Sequence, residues 1–183
     1  MRGGPPIEIV DYEPAWPARF REEAERIRAA LGAAALRVDH VGSTAVPGLA
    51  AKPVIDIQVS VARLHPIVPW VRALEGLGYT HVPHPDDATY PFLHRPADWP
   101  HSHHVHLCTA GSVEERENLA FRDLLRAEPA EAAAYEALKR RLAARHHAGS
   151  FASRNAYAQA KSDFIAPRVA RALGRAAPAS SGR

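Results

Sequence analysis

A short turn and one acidic residue form the first group that could do chemistry. Residues 41–45 are Val-Gly-Ser-Thr-Ala, and Asp56 follows 13 positions after Ser43. A Gly-Ser turn that leaves a strand exposes backbone N–H groups and small hydroxyls, which suit phosphate oxygens. A carboxylate on the next strand is a hard oxygen ligand, the kind that Mg²⁺ prefers. We therefore predict that Gly42, Ser43 and Thr44 bind phosphate and that Asp56 binds a divalent metal.

Histidines form a second group. Seven of the 11 histidines lie between His81 and His106. His104 and His106 share one face of a predicted strand, and with Asp56 they would make a site of one carboxylate and two imidazoles. Such a site favours Zn²⁺, Mn²⁺ or Fe²⁺ over Mg²⁺. For His101 and His103 we favour a solvated loop position or a satisfied hydrogen-bond network.

Cationic side chains are the third group, because they can neutralise a triphosphate. The candidates for phosphate or carboxylate binding are Lys52, Arg122, Arg126 and Lys161. Tyr157 and Lys161 recur on one helical face, so Lys161 could point towards the site or could snorkel from the edge of the core. A further basic run is interpreted as solvated surface: Lys139, Arg140, Arg141 and Arg145.

The sequence around these residues resembles a known family. Residues 40–49 and 52–57 are similar to the motifs of the GrpB-like family, within the nucleotidyltransferase superfamily. Further matches lie in residues 11–16, 103–107, 121–126 and 157–165, and the resemblance spans residues 7–166. It implies an α/β (α+β) fold: a nucleotidyltransferase-like mixed β-sheet flanked by helices, with a helical C-terminal part.

The resemblance also implies an activity. Similar proteins of the superfamily transfer a nucleotidyl or related phosphoryl group from a nucleoside triphosphate to a small acceptor, with Mg²⁺ or Mn²⁺ held by two carboxylates. In that reading Asp56, Lys52 and Lys161 are catalytic, while Arg122, Arg126 and Tyr157 help to bind the nucleotide. This chain has Gln58 where the second acid would stand. A neutral amide cannot offset the charge of two closely spaced metal ions.

Two other functions stay open. One is a non-catalytic module that keeps the fold and binds a nucleotide or another anion. The other is a mononuclear metal enzyme that uses Asp56, His104 and His106 for different chemistry.

Alternating patterns indicate how the sheet positions these residues. Residues 53–61 place Ile, Ile, Val and Val on one face and Asp56, Gln58 and Ser60 on the other, while residues 103–109 repeat that alternation. We predict that these two strands are neighbours and that their polar faces line one cleft beneath C-terminal helices. Other predicted strands are residues 7–10, 36–41, 79–82 and 90–95.

Helical spacing of apolar residues predicts the remaining elements. Predicted helices cover residues 15–31, 64–77, a segment from 112 onward, 129–145 and 153–173, the last kinked or interrupted near Pro167. Ser112 and Glu115 form a candidate capping box. We expect one domain over residues 7–173, with flexible tails at 1–6 and 174–183.

Composition limits the function classes. The 183 residues are 46% hydrophobic and carry a formal net charge of +3, without a clustered Lys/Arg block, so we infer no nucleic-acid binding. Cys108 is the only cysteine, which excludes an intramolecular disulfide and favours a reducing compartment such as the cytoplasm. No apolar run approaches the roughly 20 residues that cross a bilayer. The sequence leaves the oligomeric state open.

Overall fold

A computed structural model describes residues 6–146 and 151–175. The described strands are β1 (Arg37–Val41), β2 (Ile55–Val61), β3 (Thr80–His81), β4 (Phe92–Arg95) and β5 (His103–Thr109). The helices are α1 (Trp16–Leu31), α2 (Val68–Glu75), α3 (Val113–Ala127), α4 (Pro129–Arg145), α5 (Phe151–Gln159) and α6 (Ser162–Ala172). Short 3-10 turns cover Gly32–Ala34, Ser43–Ala45 and Pro85–Ala88.

The strands form one mixed sheet with the order β1-β2-β5-β4-β3. β2 pairs with β1 in antiparallel and with β5 in parallel orientation, and the remaining neighbours are antiparallel. In the central pair, Asp56 lies opposite His104 and Gln58 lies opposite His106. The predicted mixed sheet is confirmed, and so is the prediction that residues 53–61 and 103–109 are neighbours.

The two faces of the central strands have different environments. The apolar side chains of β2 and β5, including Ile57, Val59, Val105 and Leu107, are fully buried in the main core with residues of α1 and α2. Burial of this face removes apolar surface from water and supplies the main driving force for the fold. The opposite, polar face carries Asp56. α3 covers this face near Gln58, which leaves the Asp56 end more open.

The C-terminal helices form two smaller clusters around the turn after β1. One cluster joins the turn residues Val46 and Leu49 to α3, α4 and α6. The other joins Ile7 and Tyr157 to α4. α3 begins after Ser112, whose hydroxyl accepts a hydrogen bond from the Glu115 N–H at 3.2 Å. The other half of the predicted capping box differs, because the Glu115 carboxylate accepts from the Gly111 N–H at 2.6 Å. These contacts hold the helices beside the polar face of the sheet.

Residues 7–10 do not form the predicted strand. Only Val10 pairs with another segment, through an isolated bridge to Ala51. Ile7 instead packs among residues of α4 and α5, and the carbonyl of Ile9 accepts a hydrogen bond from Arg140 at 3.4 Å. The side-chain contacts of this segment therefore draw it towards the helices and away from a sheet edge.

Two predicted helices have different limits in the structure. The helix expected at 64–77 is shorter, because Pro69 lacks an N–H and fits only the first turn of α2. The helix expected at 153–173 breaks around residues 160–161, whereas Pro167 lies inside α6. The break allows α5 to pack on α4 while α6 packs on α3.

The predicted tails lie mostly outside the described residues. Of them, Pro6, Gly174 and Arg175 are described. The N–H groups of Gly174 and Arg175 close the end of α6 by donating to the carbonyls of Arg171 and Ala170. The division into a single domain stays a prediction. Among the helices of residues 6–146 and 151–175, none is long and apolar enough to cross a membrane.

Candidate functional site

Asp56 stands near the start of β2 on the polar face, and its side chain is 30% exposed. Its Oδ1 atom accepts a hydrogen bond from Nδ1 of His104 on β5 at 3.1 Å. Burial raises the pKa of Asp56, but the hydrogen bond from His104 and the charges of His104 and Lys52 lower it more, to about 2. Asp56 is therefore a partly exposed anion at neutral pH.

Gly42 sets the position of that carboxylate. Its φ of +68° lies in the left-handed region, which glycine adopts without a steric penalty. A Cβ atom at this position would overlap the Asp56 carboxylate and would lie 3.0 Å from its Cγ. Position 42 therefore has no room for a side chain unless Asp56 moves.

Thr44 supports the turn from inside the protein. Its hydroxyl donates to the Val54 carbonyl at 3.1 Å, so it accepts from Nε2 of His40 at 3.0 Å. Burial lowers the pKa of His40 to about 4, which keeps this ring neutral. Since the Thr44 side chain is buried and occupied, the predicted phosphate contact could come only from its backbone.

Arg122 and Arg126 also hold the turn in the structure. Arg122 on α3 donates to the His40 carbonyl at 3.1 Å. Arg126, one turn later, donates to the Ala45 carbonyl through two nitrogens, at 3.0 and 2.8 Å. Each arginine satisfies a backbone acceptor at the end of β1 or in the turn that follows. These guanidiniums donate to backbone carbonyls in the structure. That they also contact a nucleotide stays a prediction.

His104 belongs to a chain of rings that begins at Asp56. Its Nε2 lies 3.2 Å from Nδ1 of His101, so both nitrogens of His104 have protein partners. The ring of His101 stacks between those of His94 and Trp99, with centroid distances of 3.8 and 3.5 Å. The network interpretation of His101 is confirmed. The chain fixes the orientation of His104 and occupies the nitrogens that a metal would need.

His106 lies two positions further along β5, on the same face. Its ring stacks on Tyr90 at a centroid distance of 4.5 Å. Burial lowers its pKa to about 4, so the ring is neutral at physiological pH. Its buried Nδ1 atom has no hydrogen-bond partner within the described part of the chain.

Gln58 is locked in a hydrogen-bond network with α3. Its Oε1 atom accepts from Nδ2 of Asn118 at 3.0 Å and from the Tyr90 hydroxyl at 3.2 Å. Its Nε2 atom donates to the Glu115 carbonyl at 3.4 Å, and the side chain is fully buried. The Gln58 amide, at the position of the second acid, therefore serves to hold α3 and Tyr90 against the sheet.

These contacts test whether the donor set fits a metal centre. In residues 6–146 and 151–175, no group of three His, Cys, Asp or Glu side chains is arranged to hold an ion. Asp56 is one carboxylate, Gln58 is occupied, and both nitrogens of His104 are hydrogen-bonded. The residues do not fit a pair of Mg²⁺ ions, and they do not fit the predicted site of Asp56, His104 and His106.

Lysines approach Asp56 from the side of the C-terminal helices. The Nζ atoms of Lys52 and Lys161 lie 5.3 and 4.8 Å from the centre of the Tyr157 ring. Burial and the nearby charge of Lys52 lower the pKa of Lys161 to about 8, although Asp56 raises it. The structure therefore brings Lys52 together with Tyr157 and Lys161, which the sequence analysis proposed as a pair in a distant segment.

Lys139 completes this group, and sequence reasoning missed it. It was interpreted as solvated surface, but it is 2% exposed, because α4 turns it inward to donate to the Ala50 carbonyl. Its Nζ lies 5.0 Å from the centre of the Tyr135 ring, and a hydrogen bond joins Tyr135 to Ser43. Burial and the charge of Lys161 lower the pKa of Lys139 to about 7. We call Lys52, Lys139 and Lys161 the lysine cluster.

A sequence signal for Lys139 was present. Tyr135 precedes it by four positions on α4, and residues at this spacing are neighbours on a helix. Tyr157 precedes Lys161 at the same spacing, although Lys161 lies just after the end of α5. The two Tyr-Lys pairs bring the cluster together. Gln58, Tyr90 and Asn118 gave no such signal, since their contact joins a strand, a loop and a helix.

Comparison with known proteins gives the family. The family model described as GrpB protein matches residues 6–171. A UPF0157 protein of Pseudomonas aeruginosa is 40% identical over 170 residues, which is 91% of this chain and 68% of that protein. A dephospho-CoA kinase of Mycolicibacterium paratuberculosis is 36% identical over 159 residues, but the match covers only 39% of its length.

Solved structures give the fold. The crystal structure of conserved protein GrpB from Enterococcus faecalis superposes with a TM-score of 0.80 at 34% identity and covers 91% of this chain and 98% of that one. A mutant of the Cid1 poly(U) polymerase bound to MgATP superposes with a TM-score of 0.52 at 11% identity, over 75% of this chain and 45% of that one. The expected nucleotidyltransferase-like α/β fold is confirmed.

Proposed function

We propose that this chain, which belongs to the GrpB family, binds a nucleotide or a related phosphate ester between the Ser43 turn and the lysine cluster. The observation that carries the proposal is the location of the lysines. The sequence contains three, and all of them lie in this cluster, whereas the other 20 cationic side chains are arginines.

The chemistry of the cluster suits phosphate. An ammonium group is a compact charge with three donors, and it binds phosphate as a point charge. The half-buried Ser43 hydroxyl, which is bonded to Tyr135, is a further candidate donor to a phosphate oxygen. Partial burial strengthens each of these interactions, because water screens them less. Burial and the charge of Lys52 lower the pKa of Lys161, and a bound anion would offset that charge.

The comparisons support a nucleotide as the phosphate carrier. A protein that shares this fold is described as bound to MgATP, and a relative that contains a similar region is named for dephospho-CoA. Adenine nucleotides and coenzyme A esters are therefore the first ligands to examine.

Calorimetric titration with ATP, CoA and dephospho-CoA in the presence of Mg²⁺ tests binding. We expect at least one of them to bind at micromolar to millimolar concentration. Lys161→Met should weaken that binding by about tenfold or more, the usual effect of losing a hydrogen bond to a charged group. Arg63→Met is the matched control, because it removes one charge from an exposed residue beyond the far end of β2. Absence of binding up to millimolar concentration would refute the proposal.

A second candidate is transfer of the nucleotidyl or a related phosphoryl group to a small acceptor. Asp56 favours it, because an ionised, partly exposed carboxylate stands beside the cluster. A divalent ion carried by the nucleotide would neutralise charge on the phosphoryl oxygens, and Asp56 is the carboxylate that it would meet. Lys52 and Lys161 would stabilise charge that develops on the phosphoryl group.

Turnover of labelled nucleoside triphosphates with Mg²⁺ or Mn²⁺ tests this second candidate. We expect transfer to be lost in Asp56→Asn while nucleotide binding remains. A wild type that binds nucleotide without turning it over, with any of a panel of hydroxyl and amine acceptors, would leave binding as the function.

A further inference from the structure

We infer that the lysine cluster holds the phosphates as a metal-free anion, so that ammonium groups take the place of the divalent ions used by the superfamily. This inference rests on the proposed function and defines its ligand as an ester of diphosphate or triphosphate whose charge the protein itself neutralises. It starts from the mismatch between the donor set and a metal pair.

The network around Gln58 removes the means of holding two ions. An acid at position 58 would need its oxygens directed into the cleft, but Oε1 of Gln58 is turned towards Asn118 and Tyr90 on the covered part of the sheet. The site therefore presents one carboxylate to the ligand. One carboxylate carries half the negative charge of the carboxylate pair that holds metal ions in the superfamily. The lysine cluster supplies the positive charge beside it.

Counting charges around the cluster gives a net positive site. Three ammonium groups face the single carboxylate of Asp56, whose charge acts on all of them. Glu136 on α4 also lies near Lys139, and Arg140 pairs both with Glu136 at 3.0 Å and with Asp11 at 2.8 Å. Three lysines set against Asp56 and Glu136 leave a net positive charge, which favours a polyanion such as an ester of diphosphate or triphosphate.

Lysine suits this position for a physical reason. Arginine stays charged under all conditions in proteins, whereas a buried lysine can lose its proton. An empty cluster can thus shed part of its repulsion, and a bound anion restores the full charge. Burial is the main cause of the lowered pKa of both Lys139 and Lys161, and the charge of a neighbouring lysine lowers each pKa further.

The first test compares ATP and inorganic pyrophosphate in EDTA and in excess Mg²⁺ by calorimetry. We expect the affinity in EDTA to equal or exceed that in Mg²⁺, because Mg²⁺ competes with the lysines for phosphate oxygens. A loss of more than about threefold in EDTA would overturn the inference and leave the proposed function standing. Absence of binding in both buffers would reject the proposed function itself.

The second test uses the rarity of lysine. Acetylation of the native protein with an amine-selective reagent can modify only these lysines and the α-amino group of the chain. We expect pyrophosphate in EDTA to slow acetylation of Lys52 and Lys161 by about tenfold or more, whereas the α-amino group reacts at an unchanged rate. Equal reaction rates with and without pyrophosphate would place the anion elsewhere and overturn the inference.

Variants separate the role of each lysine. Lys52→Met and Lys161→Met should each weaken pyrophosphate binding in EDTA by about tenfold or more. Arg63→Met should leave it within about twofold, because an exposed charge beyond the Debye length is screened. Since Lys139 is buried, Lys139→Met could disturb folding, and Lys52→Met, at a half-buried position, keeps the inference falsifiable. Equal losses in the Arg63 and Lys52 variants would show a non-specific charge effect and contradict the inference.

Discussion

At the scale of the residue, the contact of Gly42 with Asp56 makes a sharp prediction. Gly42→Ala adds a Cβ atom that collides with the carboxylate, so Asp56 has to leave its position beside His104. We expect a loss of stability of about 1–2 kcal/mol from the positive φ and about 1–3 kcal/mol more from the collision. Urea denaturation measures the summed loss of stability. Calorimetry with ATP should show weaker binding to this variant.

Gly48 supplies the matched control for that substitution. Its φ of +79° imposes the same backbone strain, but a Cβ atom there would meet nothing within 4 Å. Gly48→Ala should therefore lose only the stability that the positive φ costs, about 1–2 kcal/mol. If the two alanine variants lose equal stability, the proposed contact with Asp56 has no energetic effect.

Lys139 predicts a pH dependence of stability. Its pKa in the folded chain is about 7, below the ordinary value of 10.5. Between these values the unfolded chain binds a proton that the folded chain does not, so this group makes folding more favourable as the pH rises. Relative to Lys139→Met, the wild type should gain on the order of 2–4 kcal/mol in unfolding free energy between about pH 6.5 and 9.5.

Urea titrations of both proteins at the two pH values measure this difference. Arg141→Met serves as the control, since Arg141 is an exposed neighbour on α4 that keeps its charge. A difference between wild type and Lys139→Met that does not change with pH would show that the Lys139 amine keeps its ordinary pKa.

The residues that the sequence could identify are those with a local pattern. Asp56 stood out as a carboxylate within an apolar strand, and Tyr157 with Lys161 as a helical pair. The two bonds that occupy His104 could not be foreseen, because spacing along a strand does not show what lies beyond each ring nitrogen. Lys139 belongs to a basic run that is typical of solvated surface, and only the structure shows that its side chain is buried.

At the scale of the element, Gln58 and Asn118 dock α3 on the sheet. Gln58→Leu leaves the Tyr90 hydroxyl without its acceptor and removes one of the three acceptors of the Asn118 amide, which should cost about 1–3 kcal/mol. Adding Asn118→Leu removes the other partner of the Gln58–Asn118 hydrogen bond. We expect the double variant to be about 1 kcal/mol more stable than the sum of the single losses predicts. Strict additivity in urea denaturation would show that the two side chains do not interact.

Strands and helices were predicted correctly where the pattern of apolar residues was compatible with only one kind of element. Alternation in residues 53–61 and 103–109 fixed both strands and their shared polar face. The α5–α6 break was placed wrongly, because Pro167 was the only visible interruption and the real cause is packing on two different helices. Residues 7–10 had strand-like composition, but long-range contacts with the helices decided their path.

At the scale of the whole molecule, the lysine cluster joins segments that are distant in the chain. Lys52 precedes β2, Lys139 belongs to α4, and Lys161 lies between α5 and α6. Bound ATP should therefore slow amide hydrogen exchange in all three regions, by up to about a hundredfold at 100 times the Kd. Exchange at β3, on the far edge of the sheet, should change less. Protection confined to one of the three regions would contradict binding across the cluster.

The parallel pairing of β2 with β5 has a kinetic consequence. Residues 62–102, with α2, β3 and β4, lie between the two strands, so a long loop has to close before Asp56 meets His104. A partly folded chain without this pairing has no complete cleft. A ligand that requires the complete cleft would then leave the folding rate unchanged and slow unfolding. In the cell, such a ligand would lengthen the lifetime of each folded molecule without helping new chains to fold.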